Sequence, residues 1–413
     1  ERFDGHAFVD AALAAGAAGA VVSDPASVAT HEAPLLVVPD TRIALGELGA
    51  WWRDRFDIPV VGVTGSNGKT SVKEMIAAIL RQHAGADGVL ATEGNLNNDI
   101  GLPLMLLRLR AQHRYAIFEM GMNHLGEISA HARLVQPTLG VITGIGTAHV
   151  GHLGSREAVL QAKFELLDGL ASDAPLVLHH DAWVLDRLPS SDHGRRLVTF
   201  GLEPEADLHP VGPVEWSLTG TRFTTPLTGP IELSLLGAGA LLSALGSLAT
   251  IVALGRDPKL YAPRLARAPR QSMRMEPCTV DQVVWLLDCY NASPESTRLA
   301  LDFHRTVPHP GRRIAVLGEL GELGAESAAI HGELGQRVRE VEIALFVGEG
   351  ARPSWASATA VGEKHWFEHA LAAAAWLAPR LAPGDLVLLK GSRRIALEQL
   401  FEAITGRAAK GGH

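Results

Sequence analysis

From Ile58 onward, short apolar runs alternate with segments of helical periodicity, and that alternation admits few folds. "PVVGVTG", "YAIFEMG", "LGVITGIG" and "PLVLHH" are almost continuously apolar, as strands covered on both faces must be. Between them the spacing predicts helices over 69–83, around 126–134 and over 156–170. Strand–helix–strand repetition implies parallel pairing through right-handed crossovers, hence an α/β fold built on a mostly parallel sheet. "RRLVTFG" and the Thr-rich stretch 218–234 read as extra strands, and a small-residue helix follows at 237–254. "RDPKLYAPRLARAPRQS", rich in Pro and Arg, reads as a linker. Beyond it "VVWLLDCYNASP", "RRIAVLGELGELG", "EIALFVG" and "GDLVLLKGSR" form a further α/β unit. Ahead of Ile58, "HAFVDAALAAGA", "AGAVVS", "APLLVVPD" and "RIALGELGAWWRDRF" make a smaller one. The expected division is therefore 1–57, 58–268 and 269–413.

Bulk properties narrow the function. A chain of 413 residues suggests two or three domains, and 47% hydrophobic with 20% charged residues provides for a large core. A formal net charge of −8 and a pI near 6.1 argue against a nucleic-acid surface held by excess positive charge. Leu235–Leu254 comes nearest to a membrane span, but its Ala, Gly and Ser suit a closely packed core helix. With only Cys278 and Cys289, no disulfide framework is read and the cytoplasm is the expected compartment. The opening "ERFDGHAFVD" has neither Met nor an apolar leader, so no signal peptide is read and the sequence reads as starting inside a domain.

"GVTGSNGKTSVKEM" sits between a buried strand and a helix, where backbone N–H groups and the helix dipole favour an anion. The fit to G-x-x-x-x-G-K-[ST] is imperfect, because its first glycine would fall on Val63. A short Gly-x-x-Gly-Lys-Thr loop describes Thr64, Gly65, Ser66, Asn67, Gly68, Lys69 and Thr70 better. Lys69 suits β/γ-phosphates and the Thr70 hydroxyl suits Mg²⁺, so the loop is expected to bind nucleotide.

Other candidates are weaker alone. Glu119 lies just past a strand, near the carboxyl edge where open α/β sheets take ligands, yet singly it reads as a solvated loop acid. His149 and His152 follow the next strand, and singly they are polar loop residues. Lys163 reads as a helix-surface lysine. "LLDCYNASPES" is either a capped turn or a clamp for base and ribose. Arg274 faces solvent by default, with phosphate neutralisation as the alternative.

Taken together, "RFDGHAFVDAALAAGA", "TGSNGKTSVKEM", "EGNLNNDIGLPLMLLRL", "EMGMNHLGEI", "GTAHVGHLGS", "AKFELLDGL", "DCYNASPES" and "VLGELGELGAES" resemble the Mur ligase superfamily, ATP-dependent amide-forming enzymes of bacterial cell-wall synthesis. The resemblance spans nearly the whole chain in order. It implies an N-terminal UDP-substrate domain, a central P-loop-type ATPase domain and a C-terminal Rossmann-like domain. It implies ATP and Mg²⁺ as cofactors, with UDP-N-acetylmuramoyl-tripeptide and D-alanyl-D-alanine as substrates of a cytoplasmic monomer that binds no nucleic acid and spans no membrane. By the same resemblance Lys69, Lys163 and His149 are catalytic, and Thr70, Glu119, His149 and Lys163 surround the metal. Lys163 matches the lysine that carries a CO₂-derived carbamate, while Arg274, Asp288 and Asn291 reach the nucleotide from the third domain. "NLNNDIG" and "YNASP" weigh against a relative that takes another amine. The chain departs from the family where Gly239, Ala240 and Ser243 stand for His, Asn and Asn. It departs again at Gly144 for Asn, at Met273 for Gly and at Leu287 for an acid, and the family's segment upstream of "RFDGH" is not in the sequence. A catalytically silent paralogue that binds nucleotide or wall precursor is the alternative these departures leave open.

Overall fold

Val60, Val61 and Val63 are wholly buried because both faces of their strand are covered. In the computed structural model, which describes residues 4–28, 33–148, 150–189 and 194–409, this strand lies inside a six-stranded sheet. The spatial order is Val89–Ala91, Tyr115–Glu119, Val60–Thr64, Leu139–Ile142, Leu176–His179 and Leu197–Phe200. Every neighbouring pair is parallel, in keeping with the unbroken apolar runs. Helices Lys69–Ala84 and Gly237–Ala253 pack on one face, and Gly101–Leu106, Glu127–Val135 and Arg156–Phe164 on the other. The expected crossovers are thus present, although the helix read over 156–170 finishes as a tighter 3-10 turn at Glu165–Gly169.

The small-residue helix is a core element, and among the described residues no helix is long and apolar enough to cross a membrane. Gly246 lets it approach Phe200 so closely that an added Cβ would meet that ring at 3.0 Å. Its buried Ser247 and Thr250 hydroxyls donate to Ser243 O at 2.7 Å and Gly246 O at 2.8 Å, so neither is left unpaired. The Thr-rich stretch forms a separate antiparallel sheet of Glu215–Trp216, Thr221–Thr225 and Gly229–Leu233.

The segment read as a linker needs correction. Pro258–Tyr261 is a short helix capped by Asp257, and Ala262–Arg267 continues as a 3-10 helix. Tyr261, Leu265 and Ala268 are buried in the same core as the central sheet. These three recur at helical spacing, a pattern that the surrounding prolines and arginines hide.

The C-terminal sheet runs Glu276–Val280, Val283–Asp288, Leu386–Lys390, Arg313–Gly318, Arg339–Val347 and Ala360–Phe367. Its first pair is antiparallel and the others parallel. At the other end of the chain, Ala20–Val22 and Leu35–Val37 pair in parallel beside helix Val9–Ala14. The next helix, Thr41–Arg53, lies against the central unit, with Gly49 pressed on Pro103. Its buried Arg53 donates to Val135 O at 3.0 Å, Gln136 O at 3.2 Å and Phe56 O at 2.6 Å.

Replacing Leu265 with Ala should lower the unfolding free energy of the central core by about 2–5 kcal/mol, read from urea denaturation. A mobile linker residue would leave the midpoint unchanged.

Candidate active site

Three strand ends meet at one edge of the central sheet. Val60–Thr64 releases the phosphate loop, Tyr115–Glu119 ends on its carboxylate, and Leu139–Ile142 leads into the turn at 143–147. Across from them stand segments of the C-terminal unit. Between the two lies a cleft of about 730 Å³ lined by Asn67, Lys69, Thr70, Glu119, Arg274 and Asn291 among others.

The loop is held by its own backbone. Gly65 has φ +145°, and a Cβ there would meet Thr143 Oγ1 at 2.2 Å, so only glycine fits. Ser66 N donates to Gly144 O at 2.8 Å and Ser66 Oγ accepts from Gly146 N at 2.9 Å, tying the loop to the neighbouring turn. Gly144 itself has φ +145°, which accounts for glycine where the family carries Asn. Lys69 opens helix Lys69–Ala84 and folds back to donate to Gly65 O at 2.8 Å. Burial holds its ammonium pKa below the ordinary lysine value, while the charge of Glu119 pulls the other way. Thr64 faces inward instead, its hydroxyl donating to Met120 O at 3.0 Å.

Glu119 is 3% exposed, not the solvated acid that its loop setting suggested. Its N–H donates to Thr92 Oγ1 at 2.9 Å, and its Oε1 accepts from Asn97 Nδ2 at 3.0 Å and Thr70 Oγ1 at 3.3 Å. Oε2 is buried and has no hydrogen-bond partner among the described residues. Lys163 is likewise buried at 0% exposure, not on a helix surface, and its Nζ has no hydrogen-bond partner among the described residues. Burial first, and the charge of Lys69 second, hold its pKa well below the ordinary lysine value. His152 is exposed, and His149 lies outside the described residues.

The facing side is presented by a strained turn. Met273 and Met275 flank Arg274 with φ +55° and +47°, and the Met273 side chain is buried in the C-terminal core. Arg274 stacks over Tyr290 at 4.6 Å and reaches Thr70 Oγ1 at 3.5 Å. Asp288 points partly into its own unit, accepting from Met275 N at 3.2 Å and pairing with Lys390 at 3.1 Å. Asn291 Oδ1 accepts from Ala292 N at 2.9 Å, and Lys390 Nζ donates to Asn291 O at 2.7 Å. Leu287 is buried in the C-terminal core, where an acid would lack solvent.

Three participants escaped sequence reasoning. Asn97 holds Glu119, while Ser293 and Glu295 hold Asn67 and Thr147. Their only sequence signals were "NLNNDIG" and the capped turn "NASPES", which suggest local structure.

Residues 63–251 match the Mur ligase middle domain, and residues 273–393 match the Mur ligase, glutamate ligase domain. The UDP-N-acetylmuramoyl-tripeptide--D-alanyl-D-alanine ligase of Escherichia coli (strain K12) is 35% identical, over 98% of this chain and 89% of that protein. The chain belongs to the Mur ligase family. The ligase of the same name from Bacillus subtilis (strain 168) is 32% identical, over 97% of this Mur ligase and 88% of that protein. Among solved structures, a MurF from Acinetobacter baumannii superposes with a TM-score of 0.88 at 30% identity, covering 98% of this chain and 89% of that one. The MurF ligase from Thermotoga maritima in complex with ADP gives 0.87 at 27% identity, covering 98% and 92%.

The side chains of this Mur ligase fit a hard dication: a hydroxyl at Thr70 and an unpartnered buried carboxylate oxygen at Glu119. Among the described residues no group of three His, Cys, Asp or Glu converges, which matches the sparse protein ligation that Mg²⁺ accepts beside phosphate and water.

Two substitutions test this geometry. Gly65→Ala should abolish nucleotide binding in calorimetry without unfolding the chain. Lys163→Met should stabilise the protein at neutral pH in bicarbonate-free buffer, by about 1–4 kcal/mol. A depressed folded pKa means the unfolded chain holds the extra proton, so the cost of burying Lys163 is full below its folded pKa and fades as pH rises from there to the ordinary lysine value. The difference between variant and parent should therefore shrink as pH rises toward 10.5, and a pH-independent difference would refute the assignment.

Proposed function

We propose that this Mur ligase joins D-alanyl-D-alanine to UDP-N-acetylmuramoyl-tripeptide, with ATP converted to ADP and phosphate through an acyl phosphate, in peptidoglycan precursor synthesis. The observation that carries the reading is the convergence of Lys69, Thr70 and Glu119 with Arg274 from the facing unit in one cleft. The names of the full-length relatives support the substrates. The ADP-bound relative supports the nucleotide.

The chain's own groups divide the work. Lys69 leaves Gly65 O to meet phosphate oxygens, and Arg274 adds charge from the other side, where charge develops on the transferring phosphoryl group. Thr64, Gly65, Ser66, Asn67 and Gly68 shape the loop, while Asp288 and Asn291 border the nucleotide. Thr70, Glu119 and Lys163 would hold Mg²⁺, with His149 added by the family resemblance alone, and the metal would neutralise phosphate charge when bound. Burial lowers the cost of removing the Lys163 proton, and a neutral amine there would add to CO₂ with release of a proton, giving a carbamate whose negative charge suits a dication. A carboxylate oxygen of the tripeptide takes the γ-phosphoryl group as ADP leaves, and the neutral amine of D-alanyl-D-alanine then attacks the acyl phosphate, losing a proton as phosphate departs.

The enzyme acts as a cytoplasmic monomer of three units, at 1–57, 58–268 and 269–413. A silent paralogue is the second reading. It draws on the base-side helix start, where Gly239 and Ala240 carry no polar side chain and the Ser243 hydroxyl donates to Gly239 O at 2.8 Å.

Phosphate release from Mg²⁺-ATP with bicarbonate present should require UDP-N-acetylmuramoyl-tripeptide and D-alanyl-D-alanine together. The product should gain the mass of one dipeptide less water. Binding of the UDP-tripeptide without release would overturn the ligase reading in favour of the silent one.

A further inference from the structure

Helix Pro294–Thr306 begins with a capping box in which Ser293 and Ser296 satisfy each other's backbone. That box aims its first turn at the phosphate loop, a neighbour more than two hundred residues away in sequence. Glu295 Oε1 accepts from Thr147 N at 3.0 Å and from Thr147 Oγ1 at 2.8 Å. Its Oε2 accepts from Asn67 Nδ2 at 3.3 Å, and Ser293 Oγ donates to Asn67 Oδ1 at 2.8 Å. Both ends of the Asn67 amide are thus read by the C-terminal unit. Gly146 leaves room for the carboxylate, since a Cβ there would lie 2.8 Å from Glu295 Oε2.

We infer that Glu295 is a positioning residue that latches the C-terminal unit onto the phosphate loop, setting the domain arrangement in which amide formation runs. This rests on the ligase reading for its kinetic consequence, though not for its geometry. A carboxylate beside an anion-binding loop opposes phosphate unless its oxygens are already occupied. Here three donors occupy them, and Arg298 stands 4.0 Å behind. Charge-assisted hydrogen bonds of this kind are the strong class, and they impose direction as well as attraction. The phosphate loop and the facing Arg274 are therefore brought into register by a carboxylate whose oxygens are taken up by the protein's own donors.

The test compares the parent with Glu295→Ala, Glu295→Gln and Thr147→Val, each checked for folding by circular dichroism. Small-angle scattering with the non-hydrolysable analogue AMP-PNP reads domain arrangement without turnover. Glu295→Ala should give a larger radius of gyration than the parent and a kcat lower by about 10- to 100-fold, with the KM for ATP changed by less than about threefold. Glu295→Gln keeps a carbonyl oxygen for Thr147 and should recover most of the loss. Thr147→Val should shift both readouts in the direction of Glu295→Ala, and it carries the test alone if that variant fails to fold. Parental scattering and parental kcat in Glu295→Ala would overturn the latch. So would equal losses in the Ala and Gln variants at parental scattering, which would mark the charge as catalytic. If the parent itself shows no turnover, the ligase reading fails, and the scattering comparison still decides the latch.

Discussion

The chemistry of this molecule depends on the central place of the strand Val60–Thr64. Parallel pairing on both sides puts the carboxyl ends of three strands at one edge, and each end delivers a different group. The middle strand supplies a loop of backbone donors, one neighbour supplies Glu119, and the other supplies the turn that braces the loop. A parallel sheet can do this because its crossovers return every strand in the same direction. The cost is that both sheet faces must be buried, which the apolar runs and the small-residue helix meet.

Much of this was legible in the residues. The apolar runs gave the central strands, and the Gly-x-x-Gly-Lys-Thr spacing gave the loop, because both signals are local. Glu119 and Lys163 were harder: their burial follows from what covers them, and their own neighbours in sequence look solvated. The segment around Tyr261 was misread because composition outweighed the spacing of its apolar residues. Glu295 and Ser293 were not singled out, since their stretch read as either a capped turn or a clamp for base and ribose, and the partners they hold lie in another unit.

The positions where the chain departs from its family divide by physical role. Gly144 and Leu287 suit their surroundings, one through its backbone angle and the other through its burial. Met273 does not suit its φ, and the burial of its side chain offsets that strain. Gly239, Ala240 and Ser243 leave the base side of the cleft with few hydrogen-bonding side chains. On the proposed reading, affinity for the nucleotide would lean on its phosphates, near which the loop, Lys69 and Arg274 lie.

The anchoring of helix Thr41–Arg53 has a mechanical consequence. Its buried guanidinium grips three carbonyls, two of them at the end of helix Glu127–Val135, and its glycines sit flush against the central unit. That joint has no slack, so the helix travels as cargo on the ATP-binding body. With Tyr261 and Leu265 packed into the core, the stretch at 269–272 is what joins that core to the first strand of the C-terminal unit. A rotation about that stretch would carry Arg274 and Glu295 toward or away from the phosphate loop, while the helix Thr41–Arg53 stayed with the central sheet.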